Sequence, residues 1–239
     1  MTGMKKWILP VLVLMAGLLA AGFRPPSASL KGAWQAKAGD QTQVLVFMDG
    51  YFSCSIFDIP GKKFIRSFGG TFSESGGQLH ANIEFDTEVE TNVGMHTHYA
   101  PSVSGNTLTM NLGTGITAWA RTDEGSGELA GNWRISGRMQ NGTIQPIQRG
   151  ARKTLKLLSG TRFQWMAINT ETKEFFGTGG GTYTFENGKY TEHIEFFSRD
   201  SSRVGAKLEF DGSVSNQTWT HTGKNSRGEP LHEEWTREK

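Results

Sequence analysis

The chain carries the same domain twice. Residues 44–110 align with residues 155–221 at a constant offset of 111, without a gap, and 17 of those 67 positions are identical. The identities include Gly69-Gly70-Thr71 with Gly180-Gly181-Thr182, and Ile83-Glu84-Phe85 with Ile194-Glu195-Phe196. Each copy opens on Gly-x-Trp, at Trp34 and at Trp133, and closes on Trp-x-Arg, at Arg121 and at Arg237. A repeat of this length constrains architecture more than any local signal, because each unit must bury its own core. It also supplies an internal control. Where the copies differ, something changed inside a shared fold.

Both copies read as all-β. Thr, Val, Phe, Tyr and Trp alternate with polar residues in short runs bounded by Gly, Asn and Asp. The runs 42–49, 51–58, 78–86, 106–112 and 116–121 recur as 154–158, 162–169, 189–197, 218–222 and 233–237. No amphipathic helix competes with them. Roughly eight strands fit each copy, and the regular strand and turn spacing argues for antiparallel barrels or sandwiches. The second copy has two insertions, one of 12 residues over 140–151 and one of five near 224–230. In an up-and-down barrel both are expected at a rim, where loops carry function on a rigid scaffold.

The first residues have the form of a secretory signal peptide. Lys5 and Lys6 precede an apolar run from Trp7 to Ala21 that ends in small residues. That run is short for a membrane span of about 20 residues, so no stable span is expected once residues 1–22 are cleaved. A Pro/Ser leader follows at 23–29. Cleavage leaves 23 basic and 23 acidic residues, a net charge of zero, and nothing suggests a nucleic-acid partner. The single cysteine, Cys54, alternates with Phe52 and Ile56 and reads as a buried core thiol. The polar, Gly-rich stretch 121–128 separates a first domain at 30–122 from a second at 129–239.

The Gly-x-Trp openings with their distal arginines resemble the signature of the lipocalin and calycin barrels. The second copy is similar to a family of uncharacterised secreted bacterial proteins with lipocalin-like domains. That similarity rests on Phe163-Gln164-Trp165, on 174–183 and on 190–196. The resemblance implies two tandem small antiparallel lipocalin-like β-barrels behind the signal peptide, in a secreted or periplasmic protein. It implies a structural plug in each barrel, Trp34 with Arg121 and Trp133 with Arg237, a guanidinium over an indole face. It implies no cofactor and no particular reaction.

Strand alternation sorts residues by face. Leu79, Ala81, Ile83 and Phe85 form an apolar set and are expected to point inward. In the second copy Ala81 becomes Glu192, Met110 becomes His221, Leu108 becomes Trp219 and Cys54 becomes Trp165. Aromatic walls with a few convergent polar groups describe a site for a small apolar or amphipathic molecule. The alternative is a core in which Glu192 pairs with His221 or an arginine and the indoles fill space. A Glu192–His221 pair would also suit acid–base catalysis, although no nucleophile or metal motif accompanies it. A ligand-free interaction module is a third reading.

Other polar groups fall outside that site. His96 and His98 share one strand face, His80 faces the same side of the preceding strand, and three such histidines could bind zinc or copper, but that face is the outward one and solvated histidines are its simpler reading. Glu195 is expected to pair across strands with Lys207 at the surface. The triple Gly179-Gly180-Gly181 lacks the helix and lysine of a phosphate loop and reads as a strand bulge or a tight corner.

Overall fold

The structure, a computed structural model, describes residues 29–225 and 227–238. The expected signal peptide, and the leader up to Ala28, lie outside the described residues. The first copy contains β1 (Gly32–Ala38), β2 (Gln41–Met48), β3 (Tyr51–Asp58), β4 (Lys63–Ser75), β5 (Gln78–Asp86), β6 (His96–Tyr99), β7 (Ser102–Ser104), β8 (Thr107–Thr109) and β9 (Ala118–Asp123). The second contains β10 (Gly131–Gln140), β11 (Thr143–Pro146), β12 (Arg152–Leu158), β13 (Arg162–Asn169), β14 (Glu174–Glu186), β15 (Lys189–Phe197), β16 (Lys207–Ser215), β17 (Thr218–Lys224) and β18 (Pro230–Arg237). Strands β3, β4 and β5 recur as β13, β14 and β15 with both ends displaced by the repeat offset.

Every pairing is antiparallel, and each copy forms its own sheet. In the second copy β10 pairs with both β12 and β18, which closes an eight-stranded barrel. Strand β11 lies outside that ring, as the returning arm of a hairpin on β10. It occupies the 12-residue insertion. The first copy is a curled sheet whose outermost strands are β6 and β7. Only Ala100 and Pro101 separate those two strands, whereas the matching stretch of the second copy is the single strand β16, paired with β15 and with β17. Proline lacks a ladder donor and restricts the residue before it, so the first ring is interrupted there.

The glycine pairs sit at bulges, as their position in the sequence suggests. The register of β4 on β5 shifts between Gly69 and Gly70, and that of β14 on β15 between Gly180 and Gly181. A Cβ on Gly70 would lie 1.9 Å from the Asn82 carbonyl oxygen, and one on Gly181 2.0 Å from that of His193. Only glycine tolerates that approach. The bulge also corrects one face assignment. Leu79, Ala81 and Ile83 enter the first core, but the register shift carries Phe85 and its counterpart Phe196 to the outside.

Both plugs form. The Arg121 guanidinium lies 3.9 Å from the Trp34 ring centre, and that of Arg237 lies 5.7 Å from Trp133. Each indole N–H donates to a carbonyl four residues earlier, Leu30 and Leu129. The first interior is apolar, with Phe47, Phe52, Cys54, Leu79, Leu108 and Trp119 packed among it. Cys54 is fully buried, and burial pushes its thiol up to about 12.

A third core joins the barrels. Val44, Val46, Phe57 and Phe85 on the outside of the first barrel pack against Leu155, Leu157, Met166, Ile168 and Phe196 on the outside of the second. The packing is reciprocal. Phe64 stacks on Phe196 and Phe85 stacks on Phe175, and these two pairs exchange under the repeat offset. Ser67 and Thr178, also equivalent, donate to the carbonyls of the equivalent Cys54 and Trp165. Gln164 donates to both hydroxyls and accepts from Ser55. This is the geometry of an isologous dimer, built within one chain. It also corrects the surface pairing of Glu195, which bonds Arg162, a residue that reaches Gln35 of the first barrel. Lys207 pairs with Glu209 instead.

Candidate functional site

The second barrel encloses a cavity of about 840 Å3. Its walls come from all eight strands of the ring, β10 and β12 to β18, and Asn225, Arg227, Glu229 and Pro230 of the second insertion line it too. Arg138 and Met139, just before the first insertion, also line it. Volumes of this size are usual for small-molecule sites.

The four sequence-predicted residues meet here, but not as a single constellation. Glu192, His221 and Trp165 line the cavity. Trp219 lies behind the wall, fully buried, with its ring edge-on to His221 at 4.8 Å. Glu192 and His221 are both buried, and each has its own partner. Glu192 accepts from Lys156 Nζ at 2.9 Å and from the Tyr190 hydroxyl at 2.9 Å. His221 Nε2 lies 3.1 Å from Glu233 Oε2, and Arg138 holds Glu233 Oε1 at 2.6 Å. The shared Glu192–His221 pair that would suit proton transfer is therefore replaced by two separate pairs.

Lys156 is the main residue that sequence reasoning missed. Its ammonium is buried and lies 5.3, 5.2 and 5.1 Å from the ring centres of Tyr190, Trp219 and Trp235. Three π faces and one carboxylate stabilise a charge that burial alone would expel. The repeat offset sets Lys156 against Leu45, so the substitution was open to the same comparison that found Glu192. Alternation concealed it. Leu155 and Leu157 flank it and look like the inward set, yet they face the first barrel, and Lys156 faces the lumen.

The environment separates the protonation states. Burial pushes His221 below its ordinary value, and the Lys156 charge adds to this against the pull of Glu233 and Glu192. A neutral imidazole beside an ionised carboxylate carries its proton on Nε2 and donates it. Burial alone would raise Glu233, but the hydrogen bond from His221 and the charges of Lys156 and Arg138 outweigh it and hold the carboxyl below the usual range. His221 Nδ1 and the indole N–H groups of Trp219 and Trp235 are buried without a hydrogen-bond partner among the described residues.

A pH dependence follows. Both groups have folded values below their unfolded ones, so each contribution is complete above the unfolded value and is lost as pH falls beneath it. Stability is expected to decline below pH 6.5 through His221 and again below 4.5 through Glu233. Thermal melts across that range check it. His221→Phe should remove the upper decline and Glu233→Gln the lower, and unchanged profiles would count against these assignments.

The histidines of the first barrel come only partly together. His80 and His98 are directly opposed across β5 and β6, with ring centres 4.7 Å apart. His96 lies opposite Asn82 instead, and no group of three metal-ligating side chains forms among the described residues. No helix among those residues is long and apolar enough to cross a membrane. A scan against protein-family models finds no match to this chain, and a search of curated proteins finds none either.

Proposed function

We propose that this is a secreted or periplasmic lipocalin-like protein that binds a small amphipathic molecule in its second barrel. The first barrel serves as its structural partner. One observation carries the reading. Positions that fill the first interior with Leu45, Cys54, Ala81 and Met110 hold Lys156, Trp165, Glu192 and His221 around a cavity in the second. A fold that can close its core and in one copy does not has given up apolar burial worth about 25 cal/mol per Å2. Aromatic and aliphatic walls from Trp165, Phe197, Ile194 and Leu208 suit an apolar body, and the paired polar groups suit orientation of a polar end.

The test is titration with a neutral environment-sensitive probe, N-phenyl-1-naphthylamine. One saturable site per chain is expected. Trp165→Ala should weaken it about threefold to tenfold, the range for losing an aromatic contact. Ala167→Trp, which fills the lumen, should abolish it. Binding that neither variant changes would place the probe elsewhere and remove the support for a lumen site.

A further inference from the structure

We propose that the mouth of the second barrel holds an anionic head group, the carboxylate of an acidic amphipath, between Arg152 and Arg199. The apolar part of that molecule then runs into the lumen. This rests on the lumen-binding reading above and adds the charge and the orientation of the ligand.

The first observation is a charge imbalance. Five permanently basic side chains line the cavity, Arg138, Arg152, Lys156, Arg199 and Arg227, against three carboxylates. Each carboxylate already has a cation. Glu192 pairs with Lys156, Glu233 with Arg138 and Glu229 with Arg227. Arg152 and Arg199 are left over, and among the described residues neither has a carboxylate within ion-pairing distance.

The second observation is placement. Both arginines are held at one bulge of β14. The Arg152 guanidinium lies 3.6 Å from the ring centre of Phe176. Arg199 packs on the next residue, so closely that a Cβ on Gly177 would lie 2.7 Å from its Nε. Its guanidinium also lies 6.0 Å from the ring centre of Trp165, which lines the lumen. Two planar cations are thus anchored through their faces, which leaves their N–H edges for an oxyanion.

The third observation is the internal control. The first barrel places Arg66 at the position of Gly177, Asp86 at that of Phe197 and Glu88 at that of Arg199. There Arg66 pairs with Asp86 at 2.6 Å and lies 3.4 Å from Glu88. The second copy has exchanged both acids, one for an aromatic wall and one for a cation. The same three positions change from net negative to net positive on the barrel that has the cavity. The deep polar groups are each neutralised, so the unmatched charge is at the mouth and the ligand enters tail first.

The experiment uses the full mature chain and competition against the neutral probe by decanoate, decanol and decylammonium. Decanoate is expected to compete best. Arg152→Gln and Arg199→Gln should each weaken it about fivefold, near the upper limit for an exposed ion pair. Both should leave decanol within twofold. Raising the salt concentration should weaken decanoate alone. Decanol competing as well as decanoate, with no effect of either arginine, overturns the anion assignment and leaves the lumen site intact. Decylammonium competing best overturns it equally. If none of the three competes with the probe, the amphipath reading falls and the anion assignment falls with it.

Discussion

Lys156→Leu is expected to destabilise the protein by roughly 3–5 kcal/mol, because it leaves the Glu192 carboxylate buried without its cation. Glu192→Ala should cost less. The ammonium it strands keeps Tyr190, Trp219 and Trp235 around it, and a desolvated cation on aromatic faces retains about 2 kcal/mol. The double variant, Lys156→Leu with Glu192→Ala, installs the residues that the first barrel has at these positions, Leu45 and Ala81. It should recover to within about 1–2 kcal/mol of the parent, since an apolar replacement of a whole buried pair is often close to neutral. Chemical denaturation of the four proteins checks this as a double-mutant cycle. Costs that simply add would show that the two side chains do not act as a pair.

Phe196→Ala carries the second large effect, about 3–5 kcal/mol for an aromatic side chain removed from a packed core. Phe196 stacks on Phe57 with ring centres 4.8 Å apart and on Phe64 at 6.0 Å, both on the other barrel. The loss therefore falls on the contact between barrels. The parent should unfold in one transition, and the variant should separate into two. Phe85→Ala, the equivalent change on the first barrel, should behave the same way, because its ring stacks on Phe175. A cost under 1 kcal/mol with an unchanged single transition would mean that the barrels are held together by something other than this apolar contact.

Much of the fold could be read from the sequence, because its signals are local or repeated. Tyr51–Asp58, Gln78–Asp86, Arg162–Asn169 and Lys189–Phe197 have the bounds their alternation suggests. The Trp–Arg plugs and the glycine bulges lie where their motifs put them. The contact between barrels was not legible. Alternation assigns apolar residues to one interior, and here apolar residues are buried on both faces of β2 and β12. Leu155 and Leu157, apolar but buried against the first barrel, therefore concealed the lumen-facing Lys156 between them. The candidate site was legible as a set of substitutions at a fixed offset but not as partners. Which carboxylate meets which cation depends on lumen depth, and strand period carries no information about depth.

The contact between barrels makes the wall of the second barrel mechanically uneven. Strands β12 to β15 have the lumen on one side and the first barrel on the other, through Leu157, Met166, Phe175 and Phe196. Strands β16 to β18 take no part in that core; β17 and β18 are joined by the loop that carries Arg227 and Glu229, and β18 meets the first barrel at its other end, where Arg237 pairs with Asp49. One half of the cylinder is splinted along its length by apolar packing, and the other half is tied to the first barrel through the Arg237–Asp49 ion pair at the end of β18. Regions with fewer buried contacts open at lower free energy. A guest of the proposed lumen site would therefore pass in and out at the 224–230 end of β17 and β18, away from the Arg237–Asp49 tie, while the half that holds Lys156, Trp165 and Glu192 stays in register.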